Sequence, residues 1–235
     1  MEAQWELSGL TYNFSIVQTL QKILKKGDRK VTVAIFEESE ILSVWPGYHD
    51  SIFGVSLDVG STTVAACLSD LSSGDVITSV NTMNPQIRFG EDLMSRVSFA
   101  MMNFNGVHQM TESIRGAINE LLHELTEESN VPLNSILEIS IVANPVMHHI
   151  LLGIDPCELG GAPFSLAIDT SVSEAAVNFG LNINPGGKVY VLPCIAGHVG
   201  ADTAGVILSE KPFSNEDLTS LVDVGTNAEV VLGNS

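Results

Sequence analysis

Two short segments of this 235-residue sequence place an aspartate, a glycine and small polar side chains in an order suited to gripping an oligophosphate. The first runs Val55-Ser-Leu-Asp-Val-Gly-Ser-Thr-Thr-Val64 and the second Leu221-Val-Asp-Val-Gly-Thr-Asn-Ala-Glu-Val230. Each reads as an apolar strand, Asp-Val-Gly, a hydroxyl residue, a polar residue and a second apolar strand. A phosphate chain needs backbone N–H groups aimed at it, and a glycine in a tight turn lets the main chain come close. Gly60 and Gly225 would do this, with Ser61, Thr62, Thr226 and Asn227 adding side-chain donors. Asp58 and Asp223, near the strand ends, could hold Mg²⁺ through its water shell, because magnesium keeps several waters and takes few protein carboxylates. One such segment alone is an ordinary hairpin turn, since Asp, Gly and Ser are common turn residues. Two in matching frames carry the phosphate reading: loops facing each other across a cleft would clamp the ligand from both sides.

A third segment, Pro193-Cys-Ile-Ala-Gly-His-Val-Gly-Ala-Asp202, leaves a strand through a glycine-rich turn and enters a helix. Asp202 falls in the first helical turn, where a carboxylate can orient an attacking water as general base. An acid there equally favours the helix dipole, and spacing leaves both roles open.

The elements that must position these groups follow from periodicity. Apolar residues at Leu10, Phe14, Val17, Leu20, Ile23 and Leu24 predict a helix over 10–26, followed by strands at 31–36 and 41–45. From residue 52 the pattern gives three hairpin-linked strands (52–58, 63–68, 76–80), helices near 91–103 and 106–128, and a strand at 136–143. A short helix at 145–152, a strand at 189–192, a helix at 199–208 and a final hairpin (221–223, 229–232) complete it. The stretch 155–187, rich in Gly, Pro and Ser, reads as an extended loop. The order β-β-β-α-β-α-β-α implies an α/β lobe with a mixed sheet and helices on both faces.

Ten basic against 28 acidic residues give a net charge of −18, which excludes the basic face of a nucleic-acid binder and the basic helix of a peripheral membrane protein. Three scattered cysteines, Cys67, Cys157 and Cys194, with no C-x-x-C, argue against a disulfide framework or iron–sulfur site in this stretch and fit a reducing, cytoplasmic setting. No apolar run reaches membrane-spanning length. His148-His149 is read as one packed and one solvated ring rather than a metal site. Arg88, Glu91, Asp92 and Arg96 read as a surface ion-pair set, with a docking surface for a protein partner as the alternative.

At its phosphate loops the sequence resembles the acetate and sugar kinase/heat-shock-70/actin (ASKHA) superfamily. Asp58–Thr63, including Thr63, looks like the first phosphate motif, Asp223–Asn227 like the second, and Ile195–Gly205 lies where sugar kinases carry a catalytic aspartate, here Asp202. More narrowly, Leu57–Val64, Asn84-Pro-Gln-Ile-Arg-Phe-Gly-Glu-Asp-Leu-Met-Ser-Arg96, Asn144-Pro-Val-Met-His-His149, Ile195–Asp202 and Asp223–Asn234 are similar to stretches of ATP-dependent reductive activators of corrinoid proteins. That resemblance implies an actin-like, ribonuclease H-like lobe and ATP with Mg²⁺ as ligands. It also implies a corrinoid protein of a methyltransferase system as partner, driven from Co(II) to Co(I), and leaves a homodimer open. A [2Fe–2S] ferredoxin-like domain is expected only in the full-length protein. The expected divisions are 1–52, the tail of a linker domain; 53–210, the first actin-like lobe; and 211–235, the first hairpin of a second lobe. The sequence is expected to be a fragment that is inactive alone, binds ATP poorly and aggregates. A small-molecule kinase or an inactive nucleotide-binding scaffold are the rival readings.

Overall fold

The computed structural model describes residues 2–214, 216–225 and 228–235. The N-terminal unit comprises α1 (Glu2–Trp5), β1 (Thr11–Tyr12), α2 (Phe14–Lys26), β2 (Val31–Phe36) and β3 (Glu40–Pro46). Its sheet has the order β1-β3-β2. The helix starts four residues later than periodicity predicts. Asn13 accepts a hydrogen bond from the Ser15 amide as N-cap, while Thr11 and Tyr12 pair in parallel with β3. The face of α2 carrying Ile16, Leu20 and Ile23 packs on Ile41 and Val44.

The lobe that follows contains β4 (Phe53–Val59), β5 (Thr63–Asp70), β6 (Val76–Met83), α3 (Leu93–Met102), α4 (Gly106–Ser129), β7 (Ile136–Ala143), α5 (Pro145–Leu152), β8 (Val172–Ala175), β9 (Lys188–Val191) and α6 (Ala201–Glu210). Six strands form one sheet in the order β6-β5-β4-β7-β9-β8. β4 is antiparallel to β5 and parallel to β7, so the sheet is mixed. Inward residues alternate along each strand: Val55, Leu57 and Val59 on β4 align with Ile139, Ile141 and Ala143 on β7. They meet Met110, Ile114, Ile118, Leu121, Leu122 and Leu125, the apolar stripe of α4. On the opposite face α6 lies against Val142, close enough that a Cβ on Gly205 would stand 3.1 Å from Cγ1 of that residue. Helices therefore cover both faces.

The stretch 155–187 is not a plain extended loop. β8 adds an antiparallel edge to β9, Val172 opposite Val191 and Ala175 opposite Lys188. The sequence Val-Ser-Glu-Ala is too short and too polar to declare a strand by itself. The exposed edge of β9 organises it.

The N-terminal unit is seated on the far end of the sheet. Asn184 Nδ2 donates to Ser43 Oγ (3.1 Å) and Lys188 pairs with Glu40 (2.6 Å). The chain at Gly186 passes so close to the Leu42 carbonyl that a Cβ there would lie 1.9 Å from the oxygen. After α6 come β10 (Thr219–Val224) and β11 (Ala228–Gly233), an isolated antiparallel hairpin with Asp223 opposite Glu229. Among the described residues, no helix is long and apolar enough to cross a membrane.

Candidate functional site

Asp58 is the penultimate residue of β4 and Asp223 the penultimate residue of β10, so the two segments hold equivalent places in their hairpins. The alternation that buries Leu57 and Val59 turns Asp58 to the other face of the sheet, where it aligns with Val142 and therefore with α6. Asp202 is the second residue of α6. The three carboxylates share one electrostatic neighbourhood. Asp58 is pushed above the usual carboxylate range by partial dehydration first, then by Asp202 and Asp223. Its side chain still opens to solvent, but protein crowds it enough to weaken hydration. Asp202 is also raised, by dehydration ahead of Asp223, against an opposing hydrogen bond from the Thr203 amide (2.8 Å). That bond realises its role as helix N-terminal acid without turning it from the other two aspartates. Glu229 on β11 is raised by dehydration, Asp202 and Asp223.

No basic side chain is among the causes acting on Asp58, Asp202 or Glu229. The ion pairs of the described residues, His123–Glu127 and Lys188–Glu40, do not involve them. Nor do three His, Cys, Asp or Glu side chains close into a direct metal cage among the described residues. Asp58, Asp202 and Asp223 are oxygen donors of the kind that could hold a cation through its water shell.

The first loop is held from behind. Asn84 is fully buried; its Nδ2 donates to the Gly60 carbonyl (2.8 Å) and its N–H to the Thr62 carbonyl (2.7 Å). Arg96 Nη2 donates to the Ser61 carbonyl between them. Ser61 is buried, whereas Thr62 and Thr63 are exposed at the turn. The turn is tight: a Cβ on Gly60 would stand 2.7 Å from the Thr63 carbonyl oxygen. Gly225 is an exposed bend after β10, and Thr226 and Asn227 lie outside the described residues.

The glycine-rich turn before α6 folds as a tight reversal, with Ile195 and Ala196 N–H donating to the Val199 carbonyl. Gly200 has no room for a side chain, since a Cβ would meet Asp202 Oδ1 at 2.5 Å and the Ala143 carbonyl at 2.7 Å. This contact seats the start of α6 on the end of β7. A cavity of about 460 Å³ separates that turn from the hairpin, lined by His198, Val199, Thr203, Glu229 and Val231 among others.

Two expectations are overturned. Arg96 is no surface ion-pair partner: it is wholly buried, with Nε on the Gly90 carbonyl (3.0 Å) and Nη2 on Ser61, while Asp92 caps α3 by accepting from the Ser95 amide (2.7 Å). Helical spacing showed that Asp92 and Arg96 could pair, but not which face α3 buries. His148 and His149 are both buried, neither solvated. His149 Nδ1 hydrogen-bonds to the Pro145 carbonyl (2.8 Å) and its Nε2 accepts from Ala167 N–H (3.0 Å). His148 is pushed down to about 4 by burial and then by His149, so it is neutral in the core. Sequence reasoning missed Asn84 and Arg96 as supports of the loop. Their signal was the Asn84–Arg96 stretch, whose charged residues the sequence reading placed on the surface.

Comparison with known proteins matches residues 53–211 to the family model described as "RACo middle region" and residues 1–51 to "RACo linker region". "Corrinoid activation enzyme RamQ" of Eubacterium limosum is 31% identical over 183 residues, covering 78% of this chain and 30% of that protein. "[Co(II) methylated amine-specific corrinoid protein] reductase" of Methanosarcina barkeri is 22% identical over 191 residues, covering 77% and 34%. Among solved structures, "Reductive activator for corrinoid,iron-sulfur protein" superposes with a TM-score of 0.87 at 30% identity, over 99% of this chain and 38% of that one. The chain thus spans about a third of the length of the curated relatives it matches.

Proposed function

We propose, from the premise that this chain belongs to the RACo family and has its actin-like, ASKHA-type lobe, that it is the first phosphate-gripping lobe of an ATP-dependent reductive activator. The full-length protein drives a corrinoid protein of a methyltransferase system from Co(II) to Co(I). The single observation carrying this reading is the convergence of Asp58, Asp202 and Asp223 from β4, α6 and β10 with no basic side chain among them. Such a cluster is expensive to keep unless a cation and its anionic ligand complete it.

In this reading the backbone of Gly60–Thr63 and of Gly225–Asn227 binds the phosphates from opposite walls. Asp58 and Asp223 would hold Mg²⁺ through its waters, and the ion would supply positive charge beside the phosphates. Asp202 orients the attacking water and accepts its proton; a carboxyl raised by dehydration is a better base than an ordinary aspartate. Residues 1–52 form the tail of the linker, 53–210 the lobe, and 211–235 the opening hairpin of the second lobe. The [2Fe–2S] electron source belongs elsewhere in the full-length protein, since Cys67, Cys157 and Cys194 are scattered through this lobe.

A kinase reading has one observation in its favour. A cavity of about 290 Å³ beside Gly197 and His198, walled by Leu93, Pro145, Val146 and Leu159, is the size of a small metabolite. One assay separates the two. With reductant and Mg·ATP, the full-length protein should convert a Co(II) corrinoid protein to Co(I), and should do so far more slowly without ATP. Equal rates with and without ATP would remove the activator reading, and transfer of the γ-phosphoryl group to a metabolite would install the kinase.

A further inference from the structure

Arg96 is wholly buried, yet it makes no ion pair among the described residues. Its guanidinium is satisfied by neutral groups: the Gly90 carbonyl at Nε (3.0 Å), the Ser61 carbonyl at Nη2 and the Met147 sulfur at Nη1. Burial lowers it to about 10, which leaves it charged at neutral pH. The Asp92 carboxylate offsets part of that burial from a distance. A buried charge hydrogen-bonded only to two carbonyls and a thioether is still costly, and an apolar side chain of similar volume would serve packing alone.

The geometry around Ser61 gives the charge a use. In a trans peptide the C=O and the following N–H point in opposite directions. Arg96 holds the Ser61 carbonyl, so the Thr62 N–H is turned away from the guanidinium. Asn84 holds the Gly60 carbonyl at 2.8 Å, so the Ser61 N–H is turned away from Asn84. The guanidinium also polarises the Ser61 peptide, making the Thr62 N–H a stronger donor. Meanwhile the cleft carries Asp58, Asp202, Asp223 and Glu229, all of one sign. A polyphosphate entering it needs a compensating positive charge on the protein side.

We propose that Arg96, with Asn84, is a positioning residue of the first phosphate loop: its buried guanidinium fixes and polarises the Ser61 peptide from behind and supplies the standing positive charge that admits a polyphosphate to an acidic cleft. The proposal rests on the phosphate-site reading above and adds the group that would set its affinity. It predicts discrimination by phosphate content and not by the adenosine moiety.

The test is calorimetric titration of ATP, ADP and adenosine into the full-length protein and its Arg96→Lys and Arg96→Met variants. Lysine keeps the charge but cannot span the Gly90 and Ser61 carbonyls together. Both variants should bind ATP and ADP at least tenfold more weakly with adenosine affinity unchanged. ATP affinity within twofold of wild type in either folded variant would overturn the proposal, as would adenosine affinity falling in step with ATP. If both variants unfold, the wild type decides the matter. The Arg96 Nε–H resonance should shift on saturation with ATP and stay put with adenosine, and a resonance unmoved by bound ATP would refute the idea. Failure of the wild type to bind ATP at all would remove the phosphate-site reading itself and this proposal with it.

Discussion

Asn84 and Gly60 are joined across 24 residues by one side-chain hydrogen bond, Asn84 Nδ2 to the Gly60 carbonyl at 2.8 Å. The same asparagine accepts from Gln86 N–H at 2.9 Å and donates its own N–H to Thr62. One fully buried residue thus ties the first loop to the segment leading into α3. Asn84→Ala leaves the buried Gln86 amide and the part-buried Gly60 carbonyl without that partner, a loss of about 1–3 kcal/mol for the buried amide and less for the carbonyl. Urea denaturation should show a loss of that order. Amide hydrogen exchange should quicken at residues 60–63 more than in the α4 core.

Asp58 and Asp202 both have folded-state pKa values above the ordinary 3.8. The folded state therefore holds these protons more tightly than the unfolded chain. The stability they contribute is fully present below the unfolded value and is lost as pH rises through the folded values. At pH 7 each ionised carboxylate works against folding. Asp58→Asn should raise the melting temperature of the ligand-free protein at pH 7, and the gain should vanish as pH falls below about 3.8. The same variant should lose Mg·ATP binding. A melting temperature unchanged at pH 7 would mean the clustered charges are not strained.

Gly200 separates Asp202 from the end of β7, and a methyl group there meets Asp202 Oδ1 at 2.5 Å and the Ala143 carbonyl at 2.7 Å. Neither the backbone oxygen nor the helix start can yield cheaply, so Gly200→Ala should cost roughly 1–3 kcal/mol. The larger effect should fall on turnover. Displacing Asp202 by a few tenths of an ångström should reduce ATP hydrolysis in the full-length protein at least tenfold, with ATP affinity less affected.

Gly186 lies against the N-terminal unit, its position for a Cβ falling 1.9 Å from the Leu42 carbonyl oxygen. Gly186→Ala should lift that unit off β9 and break the Asn184–Ser43 and Lys188–Glu40 contacts beside it. Limited trypsin digestion should then cut faster at Lys25, Lys26 and Arg29, at the exposed end of α2, while the lobe stays intact. Unchanged cleavage rates would mean the contact can open at little cost.

Much of the lobe was legible because its pattern is strictly local. The alternation Val55, Leu57, Val59 demands a strand with Asp58 on the other face, and the helical repeat from Met110 to Leu125 demands a helix with one buried stripe. Pro145–Leu152 likewise declares itself by Asn144, whose side chain caps Met147 N–H, by proline at the first turn and by Gly153 in the left-handed conformation. β8 was not legible, because its four residues become a strand only beside β9.

The candidate site divides along the same line. Asp58, Gly60, Asp202 and Asp223 can be picked out by residue type and spacing, since turn geometry and helix ends leave short-range marks in a chain. Their approach to one another depends on α6 packing both on β7, the neighbour of β4, and on β10, which no local signal encodes. Arg96 makes the difference plain: its spacing from Asp92 permits a surface pair, and burial against Ser61 and Met147 forbids one. The sequence by itself determined the elements and the turn chemistry, because both follow from nearest neighbours along the chain. Only the tertiary structure decided which charges are buried, because desolvation is a property of everything packed around a group.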